Sequence, residues 1–309
     1  MSIEEEIKQK AVSLGFDLAG ITSAEDIDSE QIKNFKHWLK AGYNGQMAYL
    51  ANNIDKRFSP VSHLADAKSI ICTAINYKVK QPAAKDSLQI ASYAFYPDYH
   101  KFIKEKLLVL ADFLKSKDKN LKFRICVDLS PLAEKALAMR AGLGFIGKNR
   151  LLANEKLGSF LLLGEIITNL PLKPDKSVTK QLCGNCRKCI DTCPTGALSD
   201  EGFDARKCIS YLTIEHKGRI SAELKNKMGL HLFGCDECLS ACPYNEKSPL
   251  CEKQQIGFAA KEIKIKPADV ISWTEKDFET FARDSSLLRT GFDRIKRNAI
   301  ICQELREHR

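Results

Sequence analysis

Cysteine dominates the chemistry open to this sequence. Of twelve cysteines in 309 residues, eight fall between positions 183 and 242. The first run reads Cys183-x2-Cys186-x2-Cys189-x3-Cys193 and ends in Pro194; the second reads Cys235-x2-Cys238-x3-Cys242 and ends in Pro243, with Cys208 between them. A cubane iron–sulfur cluster needs four thiolates converging from different directions, and x2 spacings bring three of them from one wrapped loop. The cysteine before proline lies too far round that loop and reaches the neighbouring cluster instead. The spacing therefore predicts one [4Fe–4S] cluster on Cys183, Cys186, Cys189 and Cys242, and a second on Cys193, Cys208, Cys235 and Cys238. Such clusters move single electrons. Structural zinc competes for CxxC pairs, but zinc sites seldom pack four cysteines so closely and have no use for a repeated Cys-Pro ending. The other four cysteines, Cys72, Cys126, Cys251 and Cys302, read as inert thiols.

A ferredoxin module needs only a small part of this chain, so the residues before it must hold what the electrons are for. Three segments stand out: RFSP (57–60), DYH (98–100) and CVDLSPLAEKALAMRAGLGFIGKN (126–149). Asp128 falls where a strand gives way to a loop, the usual address of an acid in an α/β site; a helix N-cap or turn carboxylate would sit there equally well. The GLGFIGKN run is not a P-loop and matches a dinucleotide fingerprint poorly. Its glycines suit a tight turn or close backbone approach, and Lys148 is either a phosphate contact or a surface lysine.

The elements that must position these residues alternate between helix and strand through residues 1–170. Ser2 and Glu5 fit a capping box ahead of a helix carrying Ile3, Ile7, Ala11 and Leu14. Strands are expected over 18–21, 69–77, 88–95 and 122–127, and helices over 31–40, after Gly45 and over 98–115. Two apolar runs, RLLAN (150–154) and SFLLLGEIIT (159–168), flank EKLG and predict a β-hairpin. Residues 170–180, with two prolines and several lysines, read as a linker. After Pro249 helical patterns return, with Thr274 and Asp277 as a cap and 292–305 as a basic amphipathic helix.

Composition is that of a soluble globular protein, 44% hydrophobic and 28% charged. No apolar run approaches the roughly 20 residues that cross a bilayer, and the charged N-terminus lacks a signal-peptide pattern, so a cytoplasmic protein is expected. A net charge of +9 fits a polyanionic partner such as nucleic acid, and fits a merely basic surface as well.

Together GYNGQMAYL (42–50), RFSP, DYH, VDLSPLAEKALAMRAGLGFIGKN, LGSFLLLGEI (157–166), the first cysteine run, CISYLTIEHKG (208–218) and FGCDECLSACPYN (233–245) resemble the epoxyqueuosine reductase family, in order and spacing, across most of residues 40–250. The resemblance implies an α+β protein: a nitroreductase-like cobalamin-binding α/β domain at 1–170, a bacterial-ferredoxin-like double [4Fe–4S] domain at 171–250, and a short helical C-terminus at 251–309. It implies reduction of epoxyqueuosine to queuosine at the wobble position of tRNA, the last step of queuosine biosynthesis. The implied cofactors are cob(II)alamin and two [4Fe–4S] clusters, and the implied partners are tRNA carrying epoxyqueuosine and an external electron donor of flavodoxin or ferredoxin type. A monomer without membrane contact is expected. The absence of a D-x-H-x-x-G signature agrees with a family in which the protein gives cobalt no ligand.

By the same resemblance Asp128 is the proton donor, its pKa raised by a buried setting. Arg57, Asp128, Lys148, Ser159, Ser210 and Asp236 match cofactor contacts, and His216, Lys217 and Arg219 match tRNA contacts. Longer members continue into a helical repeat domain that contributes to tRNA binding. With this chain stopping at 309, the grip is expected on the ferredoxin-like domain and on Arg294, Lys296 and Arg297 of the last helix. Two other readings stay open: a cobalamin-dependent reductive dehalogenase, which usually carries a twin-arginine signal, and a non-catalytic iron–sulfur electron carrier, which would not need the N-terminal domain.

Overall fold

In the computed structural model, which describes residues 1–80, 87–178 and 182–307, the apolar, β-branched runs become β1 (Leu18–Ser23), β2 (Ser69–Asn76), β3 (Gln89–Ile90), β4 (Phe123–Cys126), β5 (Phe145–Ile146), β6 (Leu152–Ala153), β7 (Leu161–Thr168) and β8 (His231–Phe233). Four of them form an antiparallel sheet in the order β1-β2-β7-β4. Every residue of β2 is buried, as its unbroken run SIICTAIN requires of a strand covered on both faces. Side chains alternate between the two covers. Ile71, Ile75 and Ile166 pack with Ile7, Ile103 and Leu107 of the Ile3–Ser13 and Tyr99–Lys117 helices. On the other face, Ile70, Cys72 and Ile167 pack with Leu137 of the Glu134–Arg140 helix and with Ile27 and Phe58.

Local signals hold at the first helix, where Ser2 and Glu5 form the capping box, and at the Tyr99–Lys117 helix, capped by Asp98. One expected strand and one expected hairpin turn out differently. The segment 88–95 is a strand only over β3, which pairs in parallel with β8. Beyond it the Ser92 amide donates to the Asp236 carboxylate at 2.6 Å, and the chain turns into a 3-10 helix over Ser92–Phe95. The 150–168 hairpin does not form either. Strand β7 is flanked by β2 and β4 and has no free edge, so β6 pairs with β5 and only an isolated Asn154–Gly158 bridge remains.

The linker segment is tied down through Asp175, whose amide donates to the Ile21 carbonyl at 2.9 Å and whose carboxylate accepts the Ile21 amide at 2.8 Å; residues 179 and 180 lie outside the described residues. The three expected segments share one core, since Ile7, Phe233 and Ile295 belong to a single apolar cluster. Phe258 stacks between Tyr96 and Phe102 at 4.5 and 4.7 Å and is fully buried, a contact whose truncation to alanine costs about 3–5 kcal/mol. Among the described residues no helix is long and apolar enough to cross a membrane.

Candidate active site and cluster lobe

Strand β4 ends at Cys126, and two residues later Asp128 adopts a left-handed backbone, φ +48°. Aspartate tolerates this region better than most residues, yet it remains uncommon outside glycine. The turn is fixed from behind, where the Asp128 amide donates to Glu134 Oε1 at 2.6 Å. In front, Asp128 Oδ2 accepts from the Tyr99 hydroxyl at 2.7 Å and meets His100 Nε2 at 3.0 Å. The other ring nitrogen of His100 lies 2.7 Å from Asp98 Oδ1, the oxygen that also caps the helix through the His100 amide. The DYH motif is thus a single device: Asp98 starts the helix, and the next two side chains reach Asp128.

Protonation follows from those bonds. Burial alone would lower the His100 pKa, but hydrogen bonds and charge from Asp128 and Asp98 outweigh it and raise it to about 9. Burial pushes Asp128 up, yet the bonds from His100 and Tyr99, with the positive charges of His100 and Arg289, bring it below the ordinary carboxylate range. This corrects the expected rise. Asp128 opens onto a cavity, its side chain 48% exposed, and its donors decide its charge.

Two cavities, of about 750 and 550 Å³, meet at Asp128, Leu129 and Arg289. Arg57 and Glu134 line the larger one; Ser210, Tyr99 and His100 line the smaller. The Arg57 guanidinium lies over the Phe35 ring at 5.5 Å, and its buried Nε has no partner among the described residues. Arg289 is anchored by Glu215 Oε1 at 2.8 Å and by the Tyr49 hydroxyl.

Three residues expected at the cofactor are not among the lining of these two cavities and bind within or against the cysteine lobe. Lys148 Nζ donates to the carbonyls of Gly184 and Cys186 at 2.9 and 3.0 Å, clamping the first cysteine loop. Ser159 is bound on both its amide and its hydroxyl by the Asn245 side chain, at 2.6 and 2.9 Å. A Cβ on neighbouring Gly158 (φ +69°) would fall 2.0 Å from Asn245 Oδ1, so that close approach requires glycine. Asp236, buried, accepts the Ser92 amide.

Cys183, Cys186, Cys189 and Cys242 ring one small cavity of about 190 Å³. In the second group Cys208 lies within electrostatic reach of Cys193, Cys235 of both Cys208 and Cys238, and Cys238 of Cys193 and Cys208. Cys238 also feels Cys189 of the first group.

Arg219, Lys225, Arg294, Lys296 and Arg297, with Asp293 among them, line a basic groove of about 660 Å³. His216 Nε2 lies 3.2 Å from the Arg219 carbonyl, and the Lys217 backbone is bound by the Gln46 amide group. Arg297, expected to grip tRNA, donates to the carbonyls of Leu212, His216 and Gly218 at 2.6, 2.8 and 2.9 Å. It is a strut that shapes the loop.

Tyr99, His100, Glu134 and Arg289 were absent from the expected site. The DYH motif was visible as a cluster of titratable residues, but only its fold-back onto Asp128 assigns it a role.

The family model described as "4Fe-4S double cluster binding domain" matches residues 182–245, and the one described as "Epoxyqueuosine reductase QueG, DUF1730" matches residues 57–129. A protein of Leadbetterella byssophila named epoxyqueuosine reductase is 38% identical over 304 residues, covering 97% of this chain and 98% of its own. The Escherichia coli protein of the same name is 34% identical, covering 97% of this chain and 80% of its own. The crystal structure of epoxyqueuosine reductase with a tRNA-Tyr epoxyqueuosine-modified stem loop superposes with a TM-score of 0.88 at 32% identity, over 98% of this chain and 81% of that one.

Proposed function

The chain belongs to the epoxyqueuosine reductase family, and on that footing we propose that it reduces epoxyqueuosine to queuosine in tRNA, with Asp128 as the acid. An epoxide becomes an alkene by taking up two electrons and two protons and losing its oxygen as water. The observation that carries the reading is the meeting of two cavities at Asp128, backed by a histidine held charged. His100 passes a proton from Nε2 to Asp128 Oδ2, Asp128 hands it to the epoxide oxygen, and Asp98 holds the imidazole in register throughout. Family membership sets aside the dehalogenase and the non-catalytic electron carrier.

The chain carries a double iron–sulfur cluster domain, in which Cys183, Cys186, Cys189 and Cys242 would hold one cluster and Cys193, Cys208, Cys235 and Cys238 the other. Proximity of Cys189 to Cys238 supports electron exchange between the clusters, fed by an external one-electron donor of flavodoxin or ferredoxin type.

Cobalamin fits the cavities on three counts. The cavities meet at Asp128 with about 750 and 550 Å³ of space, aromatic residues line them, and the buried Arg57 Nε and Ser286 Oγ lack partners among the described residues. Arg57, Ser210 and Ser286 would hold it. Bound there, it supplies the two-electron nucleophilic chemistry that clusters alone lack. The basic groove at Arg219, Lys225, Arg294 and Lys296, with His216 and Lys217 on the adjoining loop, suits tRNA phosphates. We take the working unit as a cytoplasmic monomer.

Anaerobic reconstitution with cobalamin, iron and sulfide, followed by assay on tRNA carrying epoxyqueuosine, tests the proposal. Queuosine detected by mass spectrometry is the expected result. Its absence from a fully loaded protein refutes the activity.

A further inference from the structure

Glu165 is a carboxylate in the middle of the sheet. It registers with Cys72 on β2 and Cys126 on β4, is fully buried, and meets no hydrogen-bond donor at either oxygen among the described residues. What it does meet is the carboxyl of Glu134, side chain to side chain. Glu134 opens the Glu134–Arg140 helix, accepts the Asp128 amide and lines the larger cavity beside Asp128. A sealed carboxylate without a donor is strongly disfavoured, and two carboxyls in contact are stable when a proton lies between them.

We propose that Glu134 and Glu165 form a proton store that recharges the Asp128–His100 unit during epoxide reduction. The inference rests on the function proposed above for its proton demand. Both carbon–oxygen bonds of the epoxide break, a carbon–carbon double bond forms, two electrons arrive through the clusters from the external donor, and the oxygen leaves as water with two protons. The Asp98–His100–Asp128 unit has one transferable proton. The second comes from Glu134 through the cavity it shares with Asp128, and the proton that remains is shared between the two glutamates, so neither is left as a bare buried charge.

The titratable and charged groups facing the pair are Asp128, Lys135, Arg57, Tyr99, Cys72 and Cys126. Burial and the Asp128 charge raise Glu134 to about 7; burial and the Glu134 charge raise Glu165 well above the usual range. The store is therefore full below about pH 7 and gives up its releasable proton as pH rises through that value.

Glu165→Gln keeps the volume and offers Glu134 an amide donor, so the contact survives without the proton; Glu134→Gln is the companion variant. Single-turnover rates of the loaded full chain on tRNA carrying epoxyqueuosine are measured across pH, alongside the infrared carbonyl band of neutral carboxylic acids. In the wild type the rate falls, and a neutral-acid band disappears, as pH rises through about 7. Both variants are expected to lose that band and that limb, and to run about 10-fold or more slower in acid with KM unchanged. A wild-type band and limb in both variants overturns the store. A wild type that makes no queuosine overturns the function, and a band that still titrates there separates the two failures.

Discussion

The Asp128 wall and the cysteine lobe share one apolar core, yet they use polar groups differently. Around Asp128, titratable groups bond to one another: a carboxylate to a tyrosine and a histidine, and the histidine to a second carboxylate. In the cysteine lobe, charged and amide side chains bond to backbone carbonyls, backbone amides and a serine. A bond between two titratable groups can change its proton; one between an ammonium and a carbonyl cannot. One region is built to move protons, the other to hold its geometry fixed while electrons pass.

The contrast breaks most sharply at Asp128. Asp128→Asn is expected to cut turnover by about 10³-fold while the visible absorbance of the clusters stays unchanged; near-normal conversion would end its role as the acid. His100→Gln is expected to cost about 10²-fold, and it carries a pH signature. A histidine raised to about 9 contributes stability that is fully present below its unfolded value of about 6.5 and is lost as pH rises through about 9. The Tm gap between wild type and His100→Gln should therefore be widest near pH 6 and close above about 9. A gap that widened with pH would contradict the charged imidazole. On the other side, Lys148→Ala should leave turnover chemistry intact but let the cluster held by the first cysteine loop bleach several-fold faster in air; equal bleaching of both clusters would remove the clamp. The smallest effect is expected at the groove. Arg219→Ala should weaken tRNA binding and flatten the logarithmic salt dependence by about 1, and an unchanged slope would move the phosphate contact elsewhere.

Legibility divides along the same line. The cysteine groups were readable because x2 spacings put several thiols on one loop, and the prolines after Cys193 and Cys242 mark the thiols that cross to the other group. Asp128 was readable only as a strand-end carboxylate, since Tyr99, His100 and Glu134 reach it across the fold. Lys148, Ser159 and Asp236 lie in motifs that meet at the cysteine lobe, a fact no linear spacing carries. The 150–168 hairpin failed for a related reason. Local turn chemistry favoured it, and β7 was taken on both edges by β2 and β4, partners many residues away.

The strap formed by residues 253–258 has a consequence for how the chain is made. Ile256 presses against Gly15, Lys253 pairs with Asp17 at 3.0 Å, and Phe258 fills the slot between Tyr96 and Phe102. None of these contacts can form until the ribosome has passed position 258, after every cluster cysteine has been synthesised. The nascent chain therefore presents its thiols while the amino-terminal body still lacks part of its core.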